Sequence, residues 1–167
     1  EEQFVEDLQG LIANKAPLAD RFLSAMARNA LNRTPPLGFF RTFVMEKNGH
    51  ENRSINIKRR GTAPMVDLIR IHALACGSRA QNSFDRLDDI AKTQLLTPNA
   101  VEKIRYALEF MSMTRIWHHL YDVEAASEPD NNIEPEDVSN SERHNLKDAF
   151  QVLSNAQSFL QFRYPRP

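Results

Sequence analysis

Residues Pro35–Gly77 read PPLGFFRTFVMEKNGHENRSINIKRRGTAPMVDLIRIHALACG, and the interpretation of this stretch decides the fold. Two β-prone runs, Phe43-Val44-Met45 and Ser54-Ile55-Asn56-Ile57, flank Asn48-Gly49, a pair suited to a hairpin with a longer loop. From Pro64 the period changes: Val66, Ile69, Ala73 and Leu74 fall on one helical face, and Gly77 supplies a stop. Asp67 and Arg70 stand three apart, where they can pair on that helix. Helical spacing dominates elsewhere, so the chain is expected to be mainly all-α, a helical bundle of about five or six helices with at most one small β-hairpin near Phe43–Ile57. One domain is expected over residues 1–167.

Working outward, Phe4, Leu8, Leu11 and Ile12 recur at helical spacing, and Pro17 opens a second pattern through Phe22, Met26 and Ala30, which predicts a bent or broken helix. Thr34-Pro35-Pro36 stops it, because each proline disfavours the α region for its predecessor. Phe39, Phe40, Phe43 and Val44 form a dense apolar anchor. On the other side, Ser83 is expected to cap a short helix containing Phe84, Leu87 and Ile90. Thr97-Pro98 reads as a cap followed by proline at the first helical position, opening the longest helix, to Glu124. That helix carries Val101, Ile104, Leu108 and Met111 on one stripe and Phe110, Trp117 and Leu120 on another, so it is expected at the centre of the bundle. Its first stripe continues into Arg115, His118 and Asp122, a candidate cleft wall. Glu128–Asp137 reads as an acidic loop, and the last helix starts at Ser139 or Ser141 and ends before Pro165.

Composition bounds the partners. The formal net charge is −1, which excludes the global basic field of a general nucleic-acid binder, so an anion site has to be local. The single cysteine, Cys76, excludes an internal disulfide and suits a reducing, cytoplasmic setting. No apolar run approaches the length of a membrane span, and the acidic start is unlike a signal peptide. A chain opening on Glu1 and directly in a helical pattern is expected to be part of a longer one.

Lys58-Arg59-Arg60 precedes Gly61, a residue able to take positive φ or to admit a ligand close to the backbone. Next to a helix N-terminus this is a candidate phosphate site; the alternative is a solvated turn that happens to be basic. Arg115 has two readings as well, a structural cation paired with Asp122 or another carboxylate, or a fork onto phosphate or carboxylate oxygens. Metal is not expected. His118 and His119 are adjacent, and adjacent helical residues point about 100° apart. The oxygen-rich run Asp130-Asn131-Asn132-Ile133-Glu134 lacks the glycine of an EF-hand loop.

PPLGFFRTFV, INIKRRGTAPMVDLIRIHALACG, NSFDRLDDI, EFMSMTRIWHHL, EPDNNIEP and SNSERHNLKDAFQVLSNAQSFL, in this order, resemble the nucleotidyltransferase substrate-binding domain family over nearly the whole chain. Matching positions include Pro36, Gly38 and Phe39; Lys58, Gly61 and Pro64; Asp67 and Arg70; Arg86-Leu87; Arg115; Asn132; and Leu146-Lys147. The resemblance implies the C-terminal module of a bacterial signal-transduction protein that also carries cyclic-nucleotide-binding, CBS and nucleotidyltransferase domains. It implies similarity to the helical substrate domains of kanamycin nucleotidyltransferase and protein-PII uridylyltransferase. The partners it implies are an N-terminal nucleotidyltransferase domain of the same protein and a nucleotide or protein substrate. His119, where the family commonly has glutamine, and Asn82-Ser83, in place of Asn-Thr, depart from the pattern.

Nucleotidyl transfer needs carboxylates to hold magnesium, and the superfamily supplies them as a Gly-Ser turn followed by Asp-x-Asp. Here Gly77-Ser78 ends a helix and no Asp-x-Asp occurs, so no catalytic residue is assigned and no cofactor is expected in this fragment, Mg2+ being confined to the catalytic domain. The expected activity is substrate binding and positioning, with Lys58, Arg59, Arg60, Gly61, Arg70 and Arg115 facing the substrate. The alternative is a regulatory interaction module relaying a cyclic-nucleotide or CBS-domain signal.

Overall fold

The computed structural model describes residues 2–38, 43, 46–47 and 53–165. Among these, six α-helices follow one another: α1 (Glu2–Lys15), α2 (Asp20–Ala30), α3 (Ala63–Ala75), α4 (Ser83–Ala91), α5 (Pro98–Glu124) and α6 (Asn140–Arg163). Three short strands, β1 (Glu46–Lys47), β2 (Arg53–Asn56) and β3 (Asn132–Ile133), complete the described elements. The mainly α-helical expectation holds, as does the small hairpin: β1 and β2 are antiparallel, with Glu46 opposite Ser54 and Lys47 opposite Arg53. Asn48-Gly49 and the anchor residues Phe39, Phe40 and Val44 lie outside the described residues.

The 128–137 segment is not wholly loop. Its Asn132–Ile133 pairs antiparallel with β2, Ile133 opposite Ile55 and Asn132 opposite Asn56, on the side away from β1. Both isoleucines are buried, so this pairing carries the acidic segment's one large apolar side chain into the core.

Pro17 breaks the first helical pattern as expected, through a 3-10 turn at Ala16–Leu18. The face that α2 buries is Leu23, Ala27 and Ala30, while Phe22 stays exposed. At α4 the cap is Asn82 instead of Ser83: the Asn82 Oδ1 accepts the Phe84 N–H at 2.7 Å, one residue earlier than expected. Thr97 caps α5, accepting the Ala100 N–H at 3.2 Å, with Pro98 in the first turn. Ser139 and Glu142 form a capping box at α6.

The centre of the bundle is α3, and not α5 as its length suggested. Met65, Leu68, Ile69, Ile71 and His72 are all buried, on several sides of α3, which packs against α2, α4, α5 and α6. Only the first half of α5 reaches the core, through Val101, Ile104, Ala107, Leu108 and Met111. Beyond it Met113, Ile116, Trp117, Leu120 and Tyr121 are exposed. Likewise α1 buries Ala13 alone, and its stripe of Phe4, Leu8, Leu11 and Ile12 faces outward, Phe4 being 74% exposed. Periodicity located the stripes; it could not say which of them this chain covers.

Candidate functional site

The basic tripeptide is helical, in a widened turn. Lys58–Thr62 form a π-type turn continuous with α3, in which Ala63 donates its N–H to the Lys58 carbonyl, five residues back. Pro64 explains the widening. It has no N–H to give, and its ring would clash with the carbonyl four residues earlier in a regular helix. At the start of this turn Ile57 donates to the Asn131 carbonyl at 2.9 Å, and Arg59 donates its backbone N–H to the Asn56 Oδ1 at 2.9 Å. Asn56 itself is held by Asn132, its Nδ2 lying 3.0 Å from the Asn132 Oδ1. Two of the backbone donors that would face an anion are therefore engaged within the fold.

Gly61 is corrected in its role. The glycine with positive φ among the described residues is Gly77, and Gly61 is buried in helical backbone. What approaches its backbone is the protein's own core: a Cβ there would meet the Met111 Sδ at 2.9 Å and the Phe150 Cε1 at 3.0 Å, both on fully buried side chains. Gly61→Ala is expected to overpack this contact and destabilise the fold by about 1–3 kcal/mol, read as a lower urea midpoint. An unchanged midpoint would show that Met111 moves aside freely.

Arg60 turns toward the segment after α2. Its Nε donates to the Thr34 carbonyl at 3.1 Å and its Nη2 to the Pro35 carbonyl at 3.3 Å. The buried Gln157 of α6 donates to the Arg33 carbonyl at 2.7 Å, so three successive carbonyls are held by side chains from two helices. Between them lies a polar cleft of about 490 Å³, walled by Thr34, Pro35, Arg60, Ser154, Gln157 and Ser158. A second depression of about 220 Å³ adjoins it through Thr34 and Arg60 and is bordered by Asn32, Arg33 and Arg59. Arg33, which no motif or spacing singled out, thus joins Arg59 and Arg60 around one concave surface.

The other expected site residues go elsewhere. Lys58 is exposed and lines neither depression. Arg70 pairs with Asp67 at 2.6 Å, as its spacing predicted, and ten residues of helix separate it from Arg60, a rise of about 15 Å. Arg115 donates its Nε–H to the Asn131 Oδ1 at 2.8 Å, an amide partner in place of the expected carboxylate. It reaches the start of the basic turn through Asn131, the residue whose carbonyl holds Ile57.

Beyond Arg115, the end of α5 meets the 130–132 segment. The His118 Nε2 lies 3.6 Å from Asp122 and 3.3 Å from Asp130, and the three ligand-capable atoms fall within 4.8 Å of one another. The sequence presented the histidine and the loop oxygens as separate features; the antiparallel return to β3 brings them together. These donors could meet a divalent cation, yet they already serve the fold. Asp130 accepts from the Asn132 backbone and side chain at 2.7 and 2.9 Å, and Asp122 accepts the Asp130 N–H at 3.2 Å. Burial works to raise the Asp130 carboxyl, but the Asn132 donors and His118 outweigh it and hold the group below the ordinary carboxylate value.

The remaining carboxylates near the Gly77-Ser78 turn are likewise structural. Asp89 accepts the Ser78 hydroxyl at 2.7 Å and pairs with Lys92 at 2.9 Å, and Asp88 pairs with Arg105 at 2.5 Å. What the described residues offer is a helical domain with an arginine-bordered cleft. Residues 20–164 match the family described as "Putative nucleotidyltransferase substrate binding domain", and the chain belongs to that family. No curated protein and no solved structure matches the chain. The match leaves out α1.

Proposed function

We propose that this domain binds and positions the substrate of a nucleotidyltransferase of the protein-PII uridylyltransferase type, is catalytically silent by itself, and works with a nucleotidyltransferase domain N-terminal to it. Family membership supports the class, and the observation that carries the site is the concave surface bordered by Arg33, Arg59 and Arg60. Guanidinium groups fork onto phosphate or carboxylate oxygens, and a concave polar wall concentrates their field. The substrate is accordingly a phosphate-bearing nucleotide or the acidic face of a protein. Lys58, from the same turn, adds a flexible point charge at the approach, while Arg70 and Arg115 lie too far into the fold's own pairings to share one phosphate with it. Magnesium belongs to the catalytic domain in this reading. The exposed apolar stripes of α1 and of α5 beyond Met111 supply surface for the neighbouring domain to cover. No helix among the described residues is long and apolar enough to cross a membrane.

The test uses the full-length protein. Lys58→Ala is expected to weaken nucleotide or acidic-partner binding by about 1–2 kcal/mol, more at low salt, with the Tm nearly unchanged, and Arg59→Ala to weaken that binding by a similar amount. Affinities that ignore both substitutions and ionic strength would remove this site from the mechanism.

A further inference from the structure

Helix α1 carries more exposed apolar surface than its seat on the bundle requires. Phe4, Val5, Leu8, Leu11 and Ile12 are each between 42% and 74% exposed, while the side resting on the bundle buries Ala13 alone. At about 100° per residue these five side chains form a stripe about 120° wide centred on Leu8, and Ala13 lies about 140° around the helix from that centre. The stripe is therefore turned away from the domain that carries it, and it is as wide as a face that packs against other structure.

The pattern is symmetric about Leu8. Phe4-Val5 stand four and three residues before it, and Leu11-Ile12 three and four after. A two-fold axis at the level of Leu8 sets Leu8 against Leu8, and each Phe4-Val5 pair against the Leu11-Ile12 pair of a second, antiparallel copy. The charges agree. Glu2 stands in the first turn and Lys15 in the last, so antiparallel copies bring each Lys15 to the acidic start of the other helix. A parallel pair would set Lys15 against Lys15 and acid against acid. The exposed stripe of α5 fails the same criterion: Glu102 and Glu124 stand equally far on either side of its Met113, so antiparallel copies would oppose like charges there. Of the two stripes, that of α1 is the one complementary to itself.

We propose that α1 is a dimerisation helix, its stripe covered by α1 of a second copy of this chain, antiparallel about Leu8. Five half-exposed apolar side chains from each copy, at about 100 Å² apiece, bury roughly 1,000 Å² between them, the lower bound of a specific interface. Aromatic and aliphatic groups make its centre and the charges stand at its ends, an apolar core inside a polar rim. The pairing does not rest on the arginine cleft, since no residue of α1 borders either depression there, and it leaves the α5 stripe to the neighbouring domain.

Disulfide trapping in the full-length protein tests this. Phe4→Cys and Leu11→Cys chains are co-expressed, oxidised with diamide and digested, and mass spectrometry of the linked peptides reads the α1 contact whatever other contacts the full-length protein makes. Links from position 4 of one copy to position 11 of the other are expected to predominate over links between like positions. Adding Leu8→Glu to both chains, which opposes two carboxylates on the axis, is expected to cut their yield at least about tenfold. Leu8 is exposed in the single chain, so the circular dichroism of that variant should be unchanged, which separates loss of pairing from loss of fold. Absence of links across α1, a majority of links between like positions, or a yield indifferent to Leu8→Glu would overturn the proposal.

Discussion

Lowering the pH from 7 to 4 is expected to remove about 3 kcal/mol of stability through His72 alone. In the unfolded chain this imidazole titrates near 6.5, and in the fold burial, assisted by the Arg163 cation, lowers it to about 4. Between those two values the unfolded chain takes up a proton that the folded chain refuses. The stability from a neutral His72 is therefore complete above about pH 6.5, declines as the pH falls, and is gone just below the folded pKa. Asp89, held down by the Ser78 hydroxyl and Lys92, and Glu142, held down by the Ser139 hydroxyl and N–H, lose their contributions in the same direction, but only from the ordinary carboxylate range downward. The histidine window thus comes first on acidification. Urea unfolding at a series of pH values isolates it: the native chain should weaken steeply between pH 6.5 and 4, and His72→Leu should be flatter by about 3 kcal/mol over the same interval. Parallel curves for the two proteins would show that His72 is not the group responsible.

The same histidine shows what a sequence can and cannot disclose. Position 72 falls within the apolar pattern of α3, and its burial follows from the neighbouring Ile69, Ile71 and Ala73. That neither nitrogen finds a partner depends on α5, α6 and the 94–97 connection, which converge on it from distant positions. Elements governed by local chemistry were legible: the Thr97-Pro98 start of α5, the break at Pro17, the stop at Gly77 and the Asp67–Arg70 pair all follow from spacing and cap preference. Features made by long-range return of the chain were not. Strand β3 exists because Ile133 meets Ile55, and the arginine cleft is closed by Gln157 reaching the Arg33 carbonyl 124 residues away. At the basic turn, the residues were found for a reason that the fold replaces. Gly61 is glycine because Met111 and Phe150 press on it, and the π-turn follows from Pro64 lying inside a helix that begins earlier than its proline suggests.

Gly77→Ala is expected to destabilise the fold by about 2–4 kcal/mol, as the sum of two separate effects. The first is backbone conformation. Gly77 has φ +72°, a left-handed geometry that an L side chain disfavours by about 1–2 kcal/mol. The conformation is fixed by hydrogen bonds: Ser78 donates to the Ala73 carbonyl at 2.9 Å and Gly77 to the Leu74 carbonyl at 3.2 Å, the two bonds of a Schellman motif that closes α3. The second effect is steric. A Cβ at Gly77 would stand 2.8 Å from the Ala13 carbonyl oxygen and 3.5 Å from the Pro17 ring, and a backbone oxygen cannot rotate away as a side chain would. Ala13 is the one buried residue of α1, so relief of the clash would lift that helix and the 3-10 turn from the bundle. Hydrogen exchange of the substituted protein should therefore accelerate first in α1 and at the C-terminal end of α3. Gly10→Ala is the control: a Cβ there would meet only the mobile Arg79 guanidinium, at 3.3 Å, and alanine in a helix is favoured over glycine by up to about 1 kcal/mol. A Gly77→Ala protein within about 0.5 kcal/mol of the native chain, below the smallest cost of the left-handed backbone alone, would mean that the end of α3 rearranges and that α1 is not seated on it.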